Sequence, residues 1–418
     1  MGQANILGIE RPGYPSGDAE ASPRPPTGRP RARIDFIDGL RAVCAVYVLL
    51  DHAYMNVLYD KHGGALSPSV GQAAQCLGYG FWAVAVFIIL SGYCLMLPVV
   101  RSPDLSLKGG TTGYLKRRAR RILPPYYAAL GLSLLVLGLA PGLCRPTGHF
   151  WDNNLPAFSV GGIVSHLLLI HDLKPEWIFL INGPMWSIAV EWQIYFLMPL
   201  LLLPAFRRFG WPACIASGFL LAWILRVVTH SKIEQAQPLF IGLFAIGMAA
   251  ASLGSSRTMR RPFGNGFWAC AGIALLLLNI GQQRCRQVWV ARHTEWIALA
   301  LVGMSVGCLL ILLSRQSNSS DGRRSGLPLG ILQFPPLVRV GMFSYSLYLI
   351  HFPIMALAYL WLGAQPMSPD LRLATMLFVV APTMIPISYF FYVIFERPFM
   401  SSGPSGGSCK RPVAPAAP

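Results

Sequence analysis

An arginine and a histidine lie within one apolar run, at a spacing that suits chemistry inside a membrane. Arg41 and His52 are part of LRAVCAVYVLLDHAYMNVLYD, residues 40 to 60. In an α-helix this spacing is a net rotation of ~20° and a rise of ~16 Å, so the two side chains share a face. Ionisable groups in hydrocarbon cost a few kcal/mol or more and mark function by default. A neutral imidazole can accept a proton near pH 7, but a buried histidine can equally tie helices together, so a role for His52 as general base requires polar partners on other helices.

Two further apolar runs carry polar side chains at helical spacing. In GPMWSIAVEWQIYFLMP, residues 183 to 199, Ser187, Glu191 and Tyr195 are spaced at i, i+4 and i+8 and form one stripe. In FSYSLYLIHFP, residues 343 to 353, the stripe consists of Ser344, Tyr348 and His351, at i, i+4 and i+7. Such stripes face the interior of a bundle. They predict either hydrogen bonds between helices or the wall of a polar cavity.

A dense basic cluster precedes the third apolar run. It lies in YLKRRARRILPPYY, residues 114 to 127, and consists of Lys116, Arg117, Arg118, Arg120 and Arg121. Ordinary positive charge at the cytoplasmic end of a span explains a cluster of this kind. Arginines also bind phosphate through paired hydrogen bonds, so a nucleotide or pyrophosphate fits, as do anionic lipid headgroups.

The composition predicts that these segments are helices of an integral membrane protein. Of 418 residues, 54% are hydrophobic and only 12% are charged, about half the charged share of a soluble domain. The net charge of +17 is carried by loops between apolar runs, which argues against a nucleic-acid partner. Nine cysteines without a C-x-x-C pair indicate neither a disulfide framework nor a metal site.

We predict an all-α bundle of about ten transmembrane helices. The expected domains are a disordered basic tail at 1–33, the membrane domain at 34–399 and a disordered tail at 400–418. The positive-inside rule favours cytoplasmic N- and C-termini. Residues 161–172 are too few to span and are predicted to be re-entrant or interfacial. The predicted spans are 36–59, 73–98, 124–143, 184–204, 211–229, 237–253, 265–283, 293–314, 337–360 and 373–395.

The sequence resembles the membrane acyltransferase-3 family, the bacterial O-acyltransferases that modify surface polysaccharides, antibiotics and other acceptors. The resemblance runs from about residue 34 to 399, and it rests on several motifs in the family's order rather than on any single one. These motifs are FIDGLRAVCAVYVLLDHAY, FIILSGYCLML, RRARRILPPYY, WSIAVEWQIYFLMPLLL, SYSLYLIHFP and SYFFYVIFERP.

The family's motifs fall on the residues described above. Its arginine, ten intervening residues and histidine match Arg41 and His52, and its W-S-x-x-x-E motif includes Ser187 and Glu191. Its basic motif matches Arg117, Arg118, Arg120 and Arg121. Trp192 stands where many members carry a second acidic residue, which puts a mechanism with two carboxylates in doubt. Many members also have an extracytoplasmic hydrolase-like domain after the last span, whereas this sequence continues for only about twenty residues beyond it. We therefore expect acceptor recognition in the membrane domain and its outer loops or in a partner protein.

The resemblance implies transfer of an acyl group, most simply acetyl, from cytoplasmic acyl-CoA to a hydroxyl, in the cell membrane and without a metal. His52 would be the general base or an acyl carrier, and Glu191 would orient the imidazole or bind the acceptor. Arg41 and the arginines at 117–121 would hold the CoA phosphates. Ser187, Tyr348 and His351 are the predicted substrate-binding residues. The expected acceptor is a carbohydrate, a lipid-linked glycan or a small metabolite.

Two other classes of function remain open at this point. A proton-coupled transporter or flippase would use His52, Glu191 and His351 as a proton relay and would not depend on CoA. A membrane sensor or scaffold would tolerate loss of His52. The identity of the acceptor, the acyl length and the oligomeric state are not encoded in any pattern that we identify.

Overall fold

The chain folds into an all-helical bundle. The structure, a computed structural model, describes residues 34–155, 158–255, 264–285, 294–318 and 326–400. No β-strand occurs among these residues, in agreement with the predicted all-α class. The predicted disordered tails at 1–33 and 400–418 lie outside the described residues, apart from Met400.

The described residues form fifteen α-helices. The first five are α1 (Asp35–Leu58), α2 (Pro68–Ala74), α3 (Gly80–Val100), α4 (Gly110–Leu139) and α5 (Val160–Leu168). The next five are α6 (Trp186–Leu197), α7 (Leu203–Val228), α8 (Phe240–Ser255), α9 (Asn265–Cys285) and α10 (Thr294–Asn318). The last five are α11 (Leu327–Leu332), α12 (Pro335–Met342), α13 (Ser344–Gly363), α14 (Pro369–Thr375) and α15 (Ala381–Phe391).

Seven helical stretches in this part of the chain are long and apolar enough to cross a membrane, as in a multi-pass membrane protein. They are Pro68–Val100, Gly110–Leu139, Gly183–Val228, Glu234–Ser255, Trp296–Ser317, Ser344–Gly363 and Pro369–Phe399. The predicted count of about ten spans is therefore not confirmed, and neither is the cytoplasmic location of the termini.

Three elements account for the difference in the count. Helix α1 has 24 residues but carries several ionisable side chains, among them Arg41 and Asp51, and it is not among the seven. The predicted spans 184–204 and 211–229 fall within one apolar stretch of 46 residues, but two helices meet in it at Gly210, where the backbone is not helical, with φ of 82° and ψ of −171°. The apolar part of α9 is shorter than a span.

The basic cluster lies within a helix rather than in a loop before it. Helix α4 begins at Gly110, so residues 116–121 form part of its first turns. Because side chains three positions apart on a helix are neighbours, Arg118 and Arg121 share a face. Both are partly buried, whereas Lys116, Arg117 and Arg120 are exposed. The helix thus divides the cluster into an inward and an outward face.

The core of the bundle depends on close helix crossings. A Cβ atom at Gly92 of α3 would lie 2.1 Å from the carbonyl oxygen of Phe244 in α8. A Cβ atom at Gly247 would lie 2.0 Å from the carbonyl oxygen of Ile89. Small residues let helix backbones approach closely in membranes. These crossings bring α3 against α8, and α1 packs in turn against α3, α12 and α13.

Candidate active site

The two histidines singled out in the sequence meet in the bundle, although 299 positions separate them. Nδ1 of His52 on α1 lies 3.0 Å from Nε2 of His351 on α13. His52 is partly exposed, whereas only 1% of His351 is exposed. The rings of Phe352 and Phe150 lie 5.1 and 6.2 Å from the His52 ring, between centroids. The accessible imidazole thus lies among aromatic rings and rests on a buried one.

Ser187 and Tyr348 lie beside this pair and join α6 to α13. Their hydroxyl oxygens are 2.7 Å apart, and the Tyr348 hydroxyl donates to the carbonyl of Pro184 at 3.0 Å. The Tyr348 ring centroid is 5.8 Å from that of His351. Both hydroxyl-bearing residues are buried. The contacts seen are between helices, and the role of these residues in substrate binding stays a prediction.

Glu191 lies one helical turn further along α6. The Tyr195 hydroxyl donates to the Glu191 carboxylate at 2.6 Å and lies 3.3 Å from the hydroxyl of Ser91. Glu191 also interacts electrostatically with Arg41. No hydrogen bond joins Glu191 to His52 among the described residues. The predicted orientation of the imidazole by this carboxylate therefore stays a prediction, since His351 is the partner that the ring contacts.

Three arginines gather at the other end of this polar stripe. Arg41 lies 3.5 Å from the Asp38 carboxylate and 3.5 Å from the sulfur of Cys94. Arg121 interacts electrostatically with both Arg41 and Arg118. The Nε of Arg118 is buried and has no hydrogen-bond partner among the described residues. A buried guanidinium donor without a partner is what a phosphate oxygen would satisfy.

The other two predicted phosphate ligands lie on the outward face of α4. Arg117 donates to the carbonyl of Lys108 at 2.6 Å, and Arg120 is exposed. The structure therefore brings Arg41, Arg118 and Arg121 together and leaves Arg117 and Arg120 at the surface. Their contact with the phosphates of the acyl donor stays a prediction.

One carboxylate at this end was not singled out in the sequence. Glu396 is 1% exposed, accepts a hydrogen bond from Ser346 at 2.6 Å and interacts electrostatically with Arg121 and Arg41. It follows an apolar run in SYFFYVIFERP, so an acidic residue in an apolar helix was the available signal. Together with Glu191 and Asp38, it places carboxylates among the arginines and holds their side chains within the bundle.

A buried ion pair lies just beyond the C-terminal end of α1. The Asp60 carboxylate accepts from Arg372 at 2.7 Å and from the Tyr359 hydroxyl at 2.8 Å. Nδ1 of His149, in the segment that leads into Phe150, lies 3.2 Å away. Burial alone would raise the pKa of Asp60, but hydrogen bonds from the backbone of His62 and from Tyr359 outweigh burial and lower the pKa. This cluster fixes the segment that places Phe150 against His52.

The short segment predicted to be re-entrant or interfacial contains a second buried polar cluster. Helix α5 has nine residues, too few to span, and the rings of His166 and His171 stack with centroids 4.0 Å apart. Asp172 is 1% exposed, and burial raises the pKa of this carboxyl to about 7. Gln193 donates to it at 2.7 Å. The cluster braces α5 against α6, and among the described residues it makes no contact with His52. No group of three or more metal-ligating side chains occurs in the described part of the chain.

Comparison with known proteins decides which family this site belongs to. Residues 34–393 match the model of acyltransferase family 3, which is described as an acyltransferase domain. The chain belongs to this acyltransferase family. The resemblance seen in the motifs is thereby confirmed over most of the chain.

Relatives of this acyltransferase carry consistent names. It is 25% identical to "Acyltransferase MdmB" of Streptomyces mycarofaciens over 351 residues, which cover 80% of this chain and 82% of that protein. It is 24% identical to "O-acetyltransferase OatA" of Staphylococcus aureus over 347 residues, which cover 76% of this chain and 50% of OatA. The chain thus spans about half the length of OatA. No solved structure matches it.

In this acyltransferase a row of polar residues runs through the bundle from His52 to Arg41. His52 contacts His351, the Tyr348 ring lies beside His351, and Tyr348 contacts Ser187. Ser187 lies one turn before Glu191, which interacts electrostatically with Arg41. The two ends of this row on α1, Arg41 and His52, are ~16 Å apart along the helix axis. An accessible imidazole at one end and an unsatisfied arginine donor at the other are suited to an elongated substrate with a charged head.

Proposed function

We propose that this membrane acyltransferase transfers an acyl group, most simply acetyl, from cytoplasmic acyl-CoA to a hydroxyl of an acceptor. The acceptor, a carbohydrate, a lipid-linked glycan or a small metabolite, reaches the bundle from the membrane or from the outer face of the cell membrane. The observation that carries the proposal is the row of polar residues between the arginines and His52. The name of OatA, an O-acetyltransferase, supports acetyl and a hydroxyl acceptor.

The arginines are the binding site for the donor in this proposal. Arg41, Arg118 and Arg121 hold the phosphates of CoA, and the buried Nε of Arg118 donates to a phosphate oxygen. Arg117 and Arg120, exposed on the same helix, attract the anionic head group to the entrance. The thioester arm then extends along the row of polar residues toward His52.

His52 performs the proton transfer. A ring nitrogen takes the proton of the acceptor hydroxyl while the oxygen attacks the thioester carbonyl. The carbon–sulfur bond breaks, the ester forms, and the imidazolium returns the proton to the departing thiolate. The products are the acylated acceptor and free CoA, and no proton is gained or lost overall.

This arrangement explains why polar groups are retained within the bundle. CoA carries several negative charges, and moving them through hydrocarbon is prohibitive. A binding site that keeps the phosphates near the arginines and admits only the acyl arm avoids that cost. The bundle then transfers an acyl group across much of the bilayer without transporting CoA.

The test is acyl transfer from radiolabelled acetyl-CoA in membranes that contain the wild type or no copy of the protein. We expect label in an extractable product that releases acetate under mild base, as an ester does. Membranes with the wild type that neither form such an ester nor retain acetyl-CoA would contradict the proposal. The chemical nature of the labelled product identifies the acceptor.

A further inference from the structure

His351 is held by its own helix in a way that fixes where its hydrogen lies. Its Nδ1 is 2.8 Å from the carbonyl oxygen of Tyr348 and 3.1 Å from that of Leu347. Carbonyl oxygens only accept, so Nδ1 carries the hydrogen. In a neutral imidazole the other nitrogen is then an acceptor. Nε2 of His351 therefore presents a lone pair to whatever lies opposite.

The group opposite that lone pair is Nδ1 of His52, at 3.0 Å. For this contact to be a hydrogen bond, Nδ1 of His52 must donate. The hydrogen of His52 therefore lies on Nδ1. In the neutral ring this leaves the lone pair on Nε2 of His52.

Burial separates the roles of the two rings. Only 1% of His351 is exposed, so it cannot touch an acceptor without a rearrangement of the helices, whereas His52 is partly exposed. Both nitrogens of His351 are already engaged. The neighbouring Tyr348 and Ser187 are also buried and bonded to one another. The accessible base is therefore one ring, and the second ring contacts only protein.

We infer that His351 is a positioning residue that holds His52 in the tautomer with its hydrogen on Nδ1, so that Nε2 is the base. This inference rests on the proposed acyl transfer for its catalytic meaning, and it differs from the substrate-binding role that the sequence predicts. When Nε2 takes the acceptor proton, the imidazolium of His52 donates from Nδ1 to His351. That charge-assisted hydrogen bond is stronger than the neutral one and stabilises the protonated state.

A matched pair of variants tests the inference. In His351→Gln the amide oxygen can take the place of Nε2 and accept from His52, whereas His351→Leu fills similar space without an acceptor. Nitrogen NMR of 15N-histidine-labelled protein in detergent reports which ring nitrogen of His52 is protonated, and the His52→Asn spectrum identifies the His52 signals. Thiol release from acetyl-CoA, divided into kcat and KM, reports turnover, and acetyl-CoA binding reports an intact donor site.

We expect His52 to carry its hydrogen on Nδ1 in the wild type and in His351→Gln, and to lose that preference in His351→Leu. We expect kcat to fall about 100-fold or more in His351→Leu, and to stay within about 10-fold of wild type in His351→Gln, with donor KM unchanged in both. A wrong tautomer in the serine hydrolase triad costs ~10⁴. Thermal unfolding of both variants checks that the fold is retained.

Two outcomes would overturn the inference: a hydrogen on Nε2 of wild-type His52, or the same tautomer in His351→Leu as in the wild type. Equal loss of kcat in both variants would also contradict it, because a merely structural role makes no distinction between glutamine and leucine at this point. If the tautomer follows residue 351 but the wild type neither binds nor turns over acetyl-CoA, the proposed function fails and the tautomer assignment stands.

Discussion

The hydroxyl oxygens of Ser187 and Tyr348 lie 2.7 Å apart and link α6 to α13 next to the paired histidines. Both hydroxyls also face the carbonyl of Pro184, at 3.3 and 3.0 Å. The two helices that carry Glu191 and His351 are thus held in register by a small buried network. Partners in such a network do not contribute independently to stability.

Ser187→Ala and Tyr348→Phe test this network by a double-mutant cycle. Each single change removes a hydroxyl from a buried hydrogen bond, and we expect each to lower the free energy of unfolding by about 1 kcal/mol. The double variant should lose less than the sum, because the same hydrogen bond is counted in both singles. Unfolding in detergent measures the three values. Strict additivity would show that the two hydroxyls do not interact.

Arg118 and Arg120 provide a matched comparison on one helix. Arg118 is partly buried beside Arg121, and Arg120 is exposed. A charge-assisted hydrogen bond is worth about 1.5–3 kcal/mol, so we expect Arg118→Ala to weaken acetyl-CoA binding about 10-fold or more. Arg120→Ala should change affinity by less than about 3-fold, as a screened surface charge does. Titration calorimetry measures the acetyl-CoA affinity of both variants. Equal losses of affinity would argue against a donor site inside the bundle.

The Asp60 cluster predicts a large difference between two small substitutions. Asp60→Asn leaves Arg372 buried without its counter-charge, and breaking a buried pair in this way costs about 3–5 kcal/mol. Tyr359→Phe removes one hydrogen bond to the same carboxylate and should cost about 1 kcal/mol. Thermal unfolding in detergent measures both. A similar small loss in the two variants would show that Arg372 finds another partner.

The pH dependence of the Asp60 variants has a defined sign. Because the pKa of this carboxyl is below its ordinary value of 3.8, its stabilising effect is present at neutral pH and is lost as pH falls through the folded-state pKa. We therefore expect that the destabilisation by Asp60→Asn does not decrease between pH 8 and pH 5. A destabilisation that fades within this range would contradict the assignment.

Asp172 predicts the opposite pH dependence. Burial raises the pKa of its carboxyl from 3.8 to about 7, so the stability it contributes is complete below pH 4 and is lost as pH rises through 7. Asp172→Asn removes this loss and should raise the stability at pH 8 relative to the wild type, by up to ~4 kcal/mol. At pH 4 the two proteins should differ little.

The control for Asp172 lies in the neighbouring histidines. Burial lowers the pKa of His166 and lowers that of His171 to about 3. The folding stability that these neutral histidines contribute is therefore lost as pH falls. It is the same in the wild type and in Asp172→Asn and therefore cancels in the difference between them. A difference between the two proteins that does not change with pH would refute the raised pKa.

Helical periodicity predicted the observed contacts within one helix and could not supply the contacts between helices. The rotation between Arg41 and His52 follows from α-helix geometry alone, and both residues do lie on α1. The contact between Glu191 and Tyr195 follows from their i, i+4 spacing in the same way. The partner of His52 could not be obtained this way, because α13 lies far away in sequence and only helix packing brings His351 to the ring.

The number of spans is less readily predicted than the contacts within one helix. Hydropathy marks the apolar stretches on either side of Gly210 but does not supply the backbone conformation at which the two helices meet. Helix α1, which carries several charges, stays a predicted span. Likewise, the sequence places arginines 117 to 121 in one cluster, and only the helical phase of α4 divides them between two faces.

The measurement that tests the central claim most directly separates donor binding from transfer at His52. Purified wild type and His52→Gln are compared for acetyl-CoA affinity and for turnover of acetyl-CoA, with Arg118→Ala as the reciprocal variant. The account predicts that His52→Gln binds acetyl-CoA within about 3-fold of wild type and loses kcat by 100-fold or more, as removal of a general base does. Arg118→Ala should lose affinity while a saturating donor restores most of its turnover. Undiminished turnover in His52→Gln would contradict the account.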